Sequence, residues 1–440
     1  MIAFAVVLIA SVAIATSTTV GKLAEVNADF GFRMYDQIKS SQGVTDIFFS
    51  PISISTALGM LRLGAKSSTL DQISTSMKFN TLGNNQNQLF KDLNDMLYNT
   101  SNNYTLKSAN KVFADQRFAV RDTFLNGTRD YFGAELEKLD FQGNPAAART
   151  RINQWVEEKT EDKIEDLMSP SSITQQTVMV LANAVYFKGL WTQKFDRQLT
   201  SNATFRDGQN EFTVPMMTLA DKRFNYAESS SLNCQILELP YAGSVSMFIL
   251  LPTNTSGLDQ LENQINVVNL NSLIGEMMSK KVNIFIPRFE LKDLKLNLAD
   301  YLKALGMTRM FTDTADLSGI GGNPGDLYVS SAVHKAFIKV DEEGTEAAAA
   351  TGIGIGLTSV NTDPIPVFRA DRPFMFFIRE NSSGTILFFG RLKKTPASTS
   401  TTAQPTVGSG AGAFMNDKNQ ALFFVTAAVY LLASYWPFQK

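Results

Sequence analysis

Polar and apolar positions along the chain change period several times, and each change predicts an element. Leu23 to Ile38 carries apolar residues at helical spacing. Pro51 to Ala65 follows Ser50, a residue type that caps helices, with proline at the first helical position. Arg149 to Leu167 reads as a charged amphipathic helix with Ile152, Trp155 and Val156 near one stripe. Val178 to Phe187 is almost continuously apolar, as a strand buried on both faces should be. Val282 to Phe289 and Val333 to Val340 also read as strands. Phe374 to Ile378 and Thr385 to Leu392 form a predicted hairpin joined by Asn381, Ser382, Ser383 and Gly384. Helices early and strands late predict an α+β fold.

The least ordinary pattern follows the strand at Val333 to Val340. Asp341, Glu342, Glu343, Gly344, Thr345 and Glu346 lead into Ala347, Ala348, Ala349 and Ala350, then Thr351 and Gly352. Period two continues as Ile353, Ile355 and Leu357 alternate with glycines. One strand face would be Thr345, Ala347, Ala349, Thr351, Ile353, Ile355 and Leu357, with nothing charged, bulky or proline until its far end. Such a segment fits into a sheet as an added strand. Alanine also favours helix, so Glu342 to Ala350 can equally be read as a helical turn. The glycine run from Gly352 to Gly356 lacks the spacing and the following helix of a nucleotide-binding loop.

The chain has 440 residues, a formal charge of −2 and 44% hydrophobic residues, enough for a large core and no electrostatic reason to expect nucleic acid. Cys234 is the only cysteine, which excludes an intramolecular disulfide, and its apolar surroundings predict a buried small side chain. Ile2 to Ala15 is apolar except for Ser11 and ends in Ala13-Ile14-Ala15, which reads as a signal peptide (residues 1–15) rather than a short membrane span. Secretion fits six N-x-S/T sequons, at Asn99, Asn103, Asn126, Asn202, Asn254 and Asn381, the last in a tight turn that disfavours its use. His334 is the only histidine, and no G-x-S-x-G motif accompanies it, so no catalytic triad and no enzyme activity is expected. No metal site or cofactor is expected either.

Five blocks lie in one order: Phe48-Phe49-Ser50-Pro51-Ile52-Ser53-Ile54, Asn183 to Trp191 (NAVYFKGLW), Pro215-Met216-Met217, the Glu342 to Thr351 segment, and Phe368 to Ile378 (FRADRPFMFFI). Together they resemble the serpins, over roughly residues 20–394. The resemblance implies a large, mostly antiparallel central sheet with further sheets, surrounding helices and an exposed reactive loop, in a domain of residues 16–394. It implies that Ser50, Ser53, Asn183 and His334 form a polar cluster under the opening point of that sheet. One departure is Asp46, where the family commonly has asparagine. It further implies that Trp191, Arg288 and Glu342 meet where the loop enters, although an Arg–Glu pair is also an ordinary surface pair worth about 0–1 kcal/mol. Family spacing puts the scissile bond at Thr358–Ser359, with Leu357 as the rival position. A small residue there suits an elastase-like protease, and leucine a chymotrypsin-like one.

Beyond Lys394 the composition changes. A Ser/Thr/Pro-rich stalk (residues 395–413) precedes a segment (residues 414–440) whose polar spacer and apolar run, Ala421 to Trp436, follow the grammar of a GPI-attachment signal. Ser409 and Gly410 are the candidate attachment residues; a short transmembrane anchor and a packed tail are the alternatives. The expected function is suicide-type inhibition of an extracellular serine protease by a monomer, with a possible membrane tether. Gln86 to Leu97 carries no basic stripe, so glycosaminoglycan is not expected as a partner. The alternatives are a non-inhibitory serpin that carries a ligand or binds at the cell surface, and an inhibitor of papain-like cysteine proteases.

Overall fold

The computed structural model describes residues 2–41, 46–98, 103–134, 136–345 and 364–394. Asn99, Glu346 to Thr351, Leu357, Thr358, Ser359, Ser409 and Gly410 lie outside the described residues, as do the stalk and tail. The chain divides into two compact units, 1–398 and 399–440.

Helices cluster in the first part of the chain: α1 Ile2–Lys39, α2 Pro51–Gly64, α3 Ser67–Ser76, α4 Gln86–Leu97, α5 Asp122–Phe132 and α6 Pro145–Lys159. Three short ones come later, α7 Leu258–Gln264, α8 Val267–Gly275 and α9 Leu298–Ala304. Helix α1 runs without a break across the expected cleavage point after Ala15. The strands are β1 Ile47–Phe49, β2 Tyr104–Asp115, β3 Leu136–Leu139, β4 Met179–Leu190, β5 Ser201–Arg206, β6 Glu211–Ser229, β7 Cys234–Pro240 and β8 Val245–Pro252. They continue with β9 Met278–Pro287, β10 Phe289–Leu291, β11 Lys295–Asn297, β12 Ser331–Val340, β13 Gly344–Thr345, β14 Val367–Arg369, β15 Phe374–Glu380 and β16 Ile386–Leu392.

Two sheets result among the described residues. One runs β10-β12-β13-β4-β2-β3, with β11 also on β12; the other runs β1-β16-β15-β8-β7-β6-β9-β14, with β5 on β6. The fold is α+β as expected, but the first sheet contains two parallel pairs, β2–β3 and β4–β12. The second of these decides the rest. Helix α2 packs between β4 and β2 on one side and β16 on the other, which brings its first turn under the β4–β12 seam. Ser50 Oγ caps that helix by accepting from Ser53 N at 3.2 Å, and Pro51 supplies the first helical φ.

Two expected boundaries move. The helix expected over Arg149 to Leu167 begins at Pro145, capped by Asn144, and ends at Lys159. Glu161 and Asp162 take φ values of 54° and 58°, which no right-handed helix continues. Ile164 and Leu167 are still buried, so a non-helical segment extends the apolar stripe and imitates helical spacing. The strand expected over Val282 to Phe289 is two strands in two sheets. Arg288 is the crossing point, its N–H donating to Pro215 O at 2.8 Å.

Candidate functional site

The β4–β12 seam carries both groups of residues named from the sequence. At its middle, the parallel register places His334 opposite Asn183. His334 is fully buried, and its Nε2 accepts from the Ser50 backbone N–H at 3.0 Å. An accepting Nε2 leaves the ring proton on Nδ1, which donates to Asn183 Oδ1. Burial pushes the imidazole pKa down to about 3, so the ring stays neutral. Asn183 Nδ2 donates to Ser53 Oγ at 2.7 Å, and Ser50 Oγ donates to Leu387 O at 2.6 Å. All four expected residues therefore meet. Two more belong with them: Asn110 Oδ1 accepts from both Asn183 and Ser53, and Ser108 Oγ lies 3.2 Å from Ser53 Oγ. Both sit on β2, two residues apart and so on one face, but the strand also carries Thr105, Lys107, Lys111 and Asp115, so nothing in the sequence set them apart.

At the end of the seam the chain turns back after β12. Asp341 N donates to Gly344 O at 2.9 Å, and the returning β13 pairs antiparallel with β12 on one side and β4 on the other. Gly344 has φ 150°, and a Cβ there would lie 2.1 Å from Gly189 O, so only glycine fits. Trp191 Nε1 donates to Asp341 O at 3.0 Å, and the indole stacks on Tyr241 with centroids 4.3 Å apart. Tyr241 Oη in turn lies 2.8 Å from Thr345 Oγ1.

Glu342 is buried there. Its carboxylate accepts from Arg288 Nη2 and from Thr200 Oγ1, the latter at 2.6 Å. Burial opposes the charge, but these bonds outweigh it and hold the carboxyl below the usual range. Lys194 Nζ reaches Glu343 Oε2 at 2.6 Å. Trp191, Arg288 and Glu342 thus meet as expected, while Thr200, Lys194 and Tyr241 carried no signal in the sequence. Thr345 corrects one expectation: it is already inside the sheet of the uncut chain, fully buried, rather than waiting to enter.

Elsewhere, Asn103, Asn126, Asn202, Asn254 and Asn381 are exposed, and Asn381 Nδ2 donates to Ser246 Oγ. Cys234 is buried, which pushes its thiol up to about 12. Asp46 Oδ1 accepts from the backbone N–H groups of Lys393 and Lys394 at 2.7 and 2.9 Å.

Residues 25–395 match the family described as Serpin (serine protease inhibitor). The chain is 36% identical to human Serpin B3 over 387 residues, covering 84% of this chain and 98% of that protein. It is 38% identical over 378 residues to the leukocyte elastase inhibitor of Equus caballus, at 84% and 98% coverage. Among solved structures, uncleaved ovalbumin superposes with TM-score 0.78 at 34% identity, covering 84% of this chain and 99% of the other. Human thyroxine-binding globulin complexed with thyroxine superposes with TM-score 0.79 at 29% identity, at 86% and 99% coverage.

Proposed function

Because the chain belongs to the serpin family, we propose that it traps a serine protease by inserting its cut loop into the sheet between β4 and β12. One observation carries this reading: β13 already occupies the first rung of that slot, antiparallel to both neighbours, while below it β4 and β12 pair parallel. A strand continuing from β13 replaces one parallel pairing with two antiparallel ones, which gains ladder hydrogen bonds.

The register makes the reading specific. Extended residue by residue from Val340↔Thr345 and Gly189↔Thr345, both ladders bring Thr351 opposite His334 and Asn183. The inserting strand would therefore part the pair whose side-chain bond closes the seam, and would offer a threonine hydroxyl in its place. In this reading the protease serine attacks the Thr358 carbonyl, with Leu357 as the rival position. Cleavage to Ser359 leaves an acyl-enzyme on the inserting end. The relationship to a leukocyte elastase inhibitor supports a serine protease as target.

The thyroxine-bound neighbour favours a second reading, ligand carriage. Incubation with elastase-like and chymotrypsin-like proteases separates the two. An SDS-resistant complex, and a cut form far more heat-resistant than the intact one, are expected for inhibition. Cleavage with no complex, and equal melting of cut and intact chains, would leave ligand carriage standing.

The apolar first segment and the tail support an extracellular, lipid-tethered setting. Phosphatidylinositol-specific phospholipase C should then release the protein from expressing cells; retention on treated cells, with Trp436 still recoverable by mass spectrometry, would instead support a transmembrane tail.

A further inference from the structure

The sequon Asn202-Ala203-Thr204 lies at the start of β5, just after Thr200. Thr200 donates its hydroxyl to Glu342 at 2.6 Å, and its φ of −74° and ψ of 122° are extended. Period two along the chain therefore puts Asn202 on the same face as Thr200, about 7 Å further on. The opposite face is fixed independently, because Phe205 is fully buried and Ala203 packs on the core. Further along the Asn202 face, Arg206 pairs with Glu211 directly across the ladder. Asn202 itself stands opposite Pro215, whose carbonyl accepts the Arg288 N–H at 2.8 Å. The sequon thus sits beside the Arg288–Glu342 pair at the loop entrance. Asn202 is exposed, and among the described residues no hydrogen bond holds its amide, whereas the Asn381 amide is bonded to Ser246.

This edge of the molecule carries two liabilities. Among the described residues β5 pairs only with β6, so its outer edge offers unpaired N–H and C=O groups to another strand. Leu199, just ahead of Asn202, is 55% exposed. An apolar side chain beside an open strand edge, next to a sheet that accepts an added strand, invites a second copy to pair there. A bulky hydrated group on Asn202 blocks that approach. It leaves β13 undisturbed, because that strand already lies between β4 and β12.

We infer that Asn202 carries an N-linked glycan that guards the loop entrance and the β5 edge against strand addition by a second copy of this chain. The inference rests on the extracellular setting proposed above, since N-x-S/T acceptors are modified in secreted proteins. The sugar comes from a lipid-pyrophosphate-linked oligosaccharide. Its anomeric carbon breaks its bond to the pyrophosphate oxygen and bonds to Asn202 Nδ2, which gives up one proton. The glycan is bulky and solubilising, so it acts by excluded volume and needs no contact within the fold.

The test expresses the full chain in animal cells beside three variants. Asn202→Gln removes the acceptor, and Thr204→Val removes the sequon while keeping the asparagine. Asn254→Gln is the control, because Asn254 follows the open end of the β7–β8 hairpin, away from the turn that holds Tyr241. Peptide mass spectrometry after peptide N-glycosidase treatment in heavy-oxygen water reads occupancy, and native gels after warming read the loss of monomer. The expected result is an occupied Asn202 in wild type, with monomer lost at least about twice as fast by Asn202→Gln and Thr204→Val as by wild type or Asn254→Gln. Trimming the folded proteins with an endoglycosidase should speed the loss for wild type and not for Asn202→Gln, a comparison that stands even if Thr204→Val misfolds. A bare Asn202 in a chain modified at Asn126 or Asn254 overturns the inference and leaves the extracellular setting standing. A chain with every sequon bare overturns both. An occupied Asn202 with equal monomer loss in wild type, trimmed wild type and Asn202→Gln overturns the guarding role.

Discussion

The two ends of the working half of the β4–β12 seam are built from different chemistry. Around His334 the seam is closed by neutral, buried hydrogen bonds among imidazole, amide and hydroxyl groups. Around Glu342 it is already parted by β13, and charged bonds from Arg288 and Lys194 hold the turn. A buried neutral network must be broken whole, because each orphaned group carries its own desolvation cost. The carboxylates of the turn are buried too, but its cations Arg288 and Lys194 reach in from partly exposed positions, where water can replace their lost partners, so the turn is cheaper to rearrange. The fold thus puts the easy step at the entrance and the barrier in the middle.

The largest effect should come from forcing the entrance. Thr345→Arg places an unpaired guanidinium where the native hydroxyl is buried against Tyr241. It should expel β13 and convert an inhibitor into a substrate, cut at the same bond with almost no SDS-resistant complex. Wild-type complex yield on gels would show that β13 does not lead the insertion.

Next comes the middle of the seam. His334→Ala leaves the Ser50 N–H and the Asn183 side chain without their partner and should cost about 3 kcal/mol in a denaturant titration. The same ring predicts a pH window. Its folded pKa of about 3 lies below the ordinary 6.5, so the unfolded chain binds the extra proton. Wild-type stability should fall as pH drops below about 6.5, by about 1.4 kcal/mol per unit while only the unfolded chain titrates. The fall should end near the folded value, and the alanine variant should lack it. Glu342 acts in a lower window. Its depressed pKa contributes stability above the ordinary 4.5, which is lost as pH falls through the folded value. Urea midpoints measured from pH 7 down to about 3 would separate the two.

Glu342→Gln should be milder, about 1 kcal/mol in the same titration, because Arg288 is well exposed and the amide oxygen still accepts from it. It should ease opening of the entrance, seen as faster hydrogen exchange at Gly344 and Thr345. Asp46→Asn should be the smallest change. Burial raises the Asp46 pKa, so its charged form carries a penalty above that pKa, which disappears on acidification. Asparagine keeps an acceptor for Lys393 and Lys394 without the charge, so it should stabilise the chain by less than about 1 kcal/mol at pH 7, with the gain shrinking toward pH 4. A loss of stability at pH 7 would mean that the carboxylate charge itself is needed.

The sequence by itself determined the local elements and, through its resemblance, the first members of both site groups, but not Ser108, Asn110, Lys194, Thr200 or Tyr241. The cap at Ser50 and the doubly buried strand at Val178 to Phe187 follow from nearest-neighbour chemistry, which needs no tertiary information. The period-two run of small residues after Val340 likewise announced a strand that could be added to a sheet. Tertiary structure alone decided what lies across the seam from each residue. That β4 and β12 run parallel, and that Gly344 and Thr345 already lie between them, depends on partners more than 100 residues away in the chain. The same holds for Arg223 and Lys281, which only the antiparallel pairing of β6 and β9 sets directly opposite each other. Propensity and spacing act over a few residues, whereas register and charge juxtaposition are fixed only when distant strands pair.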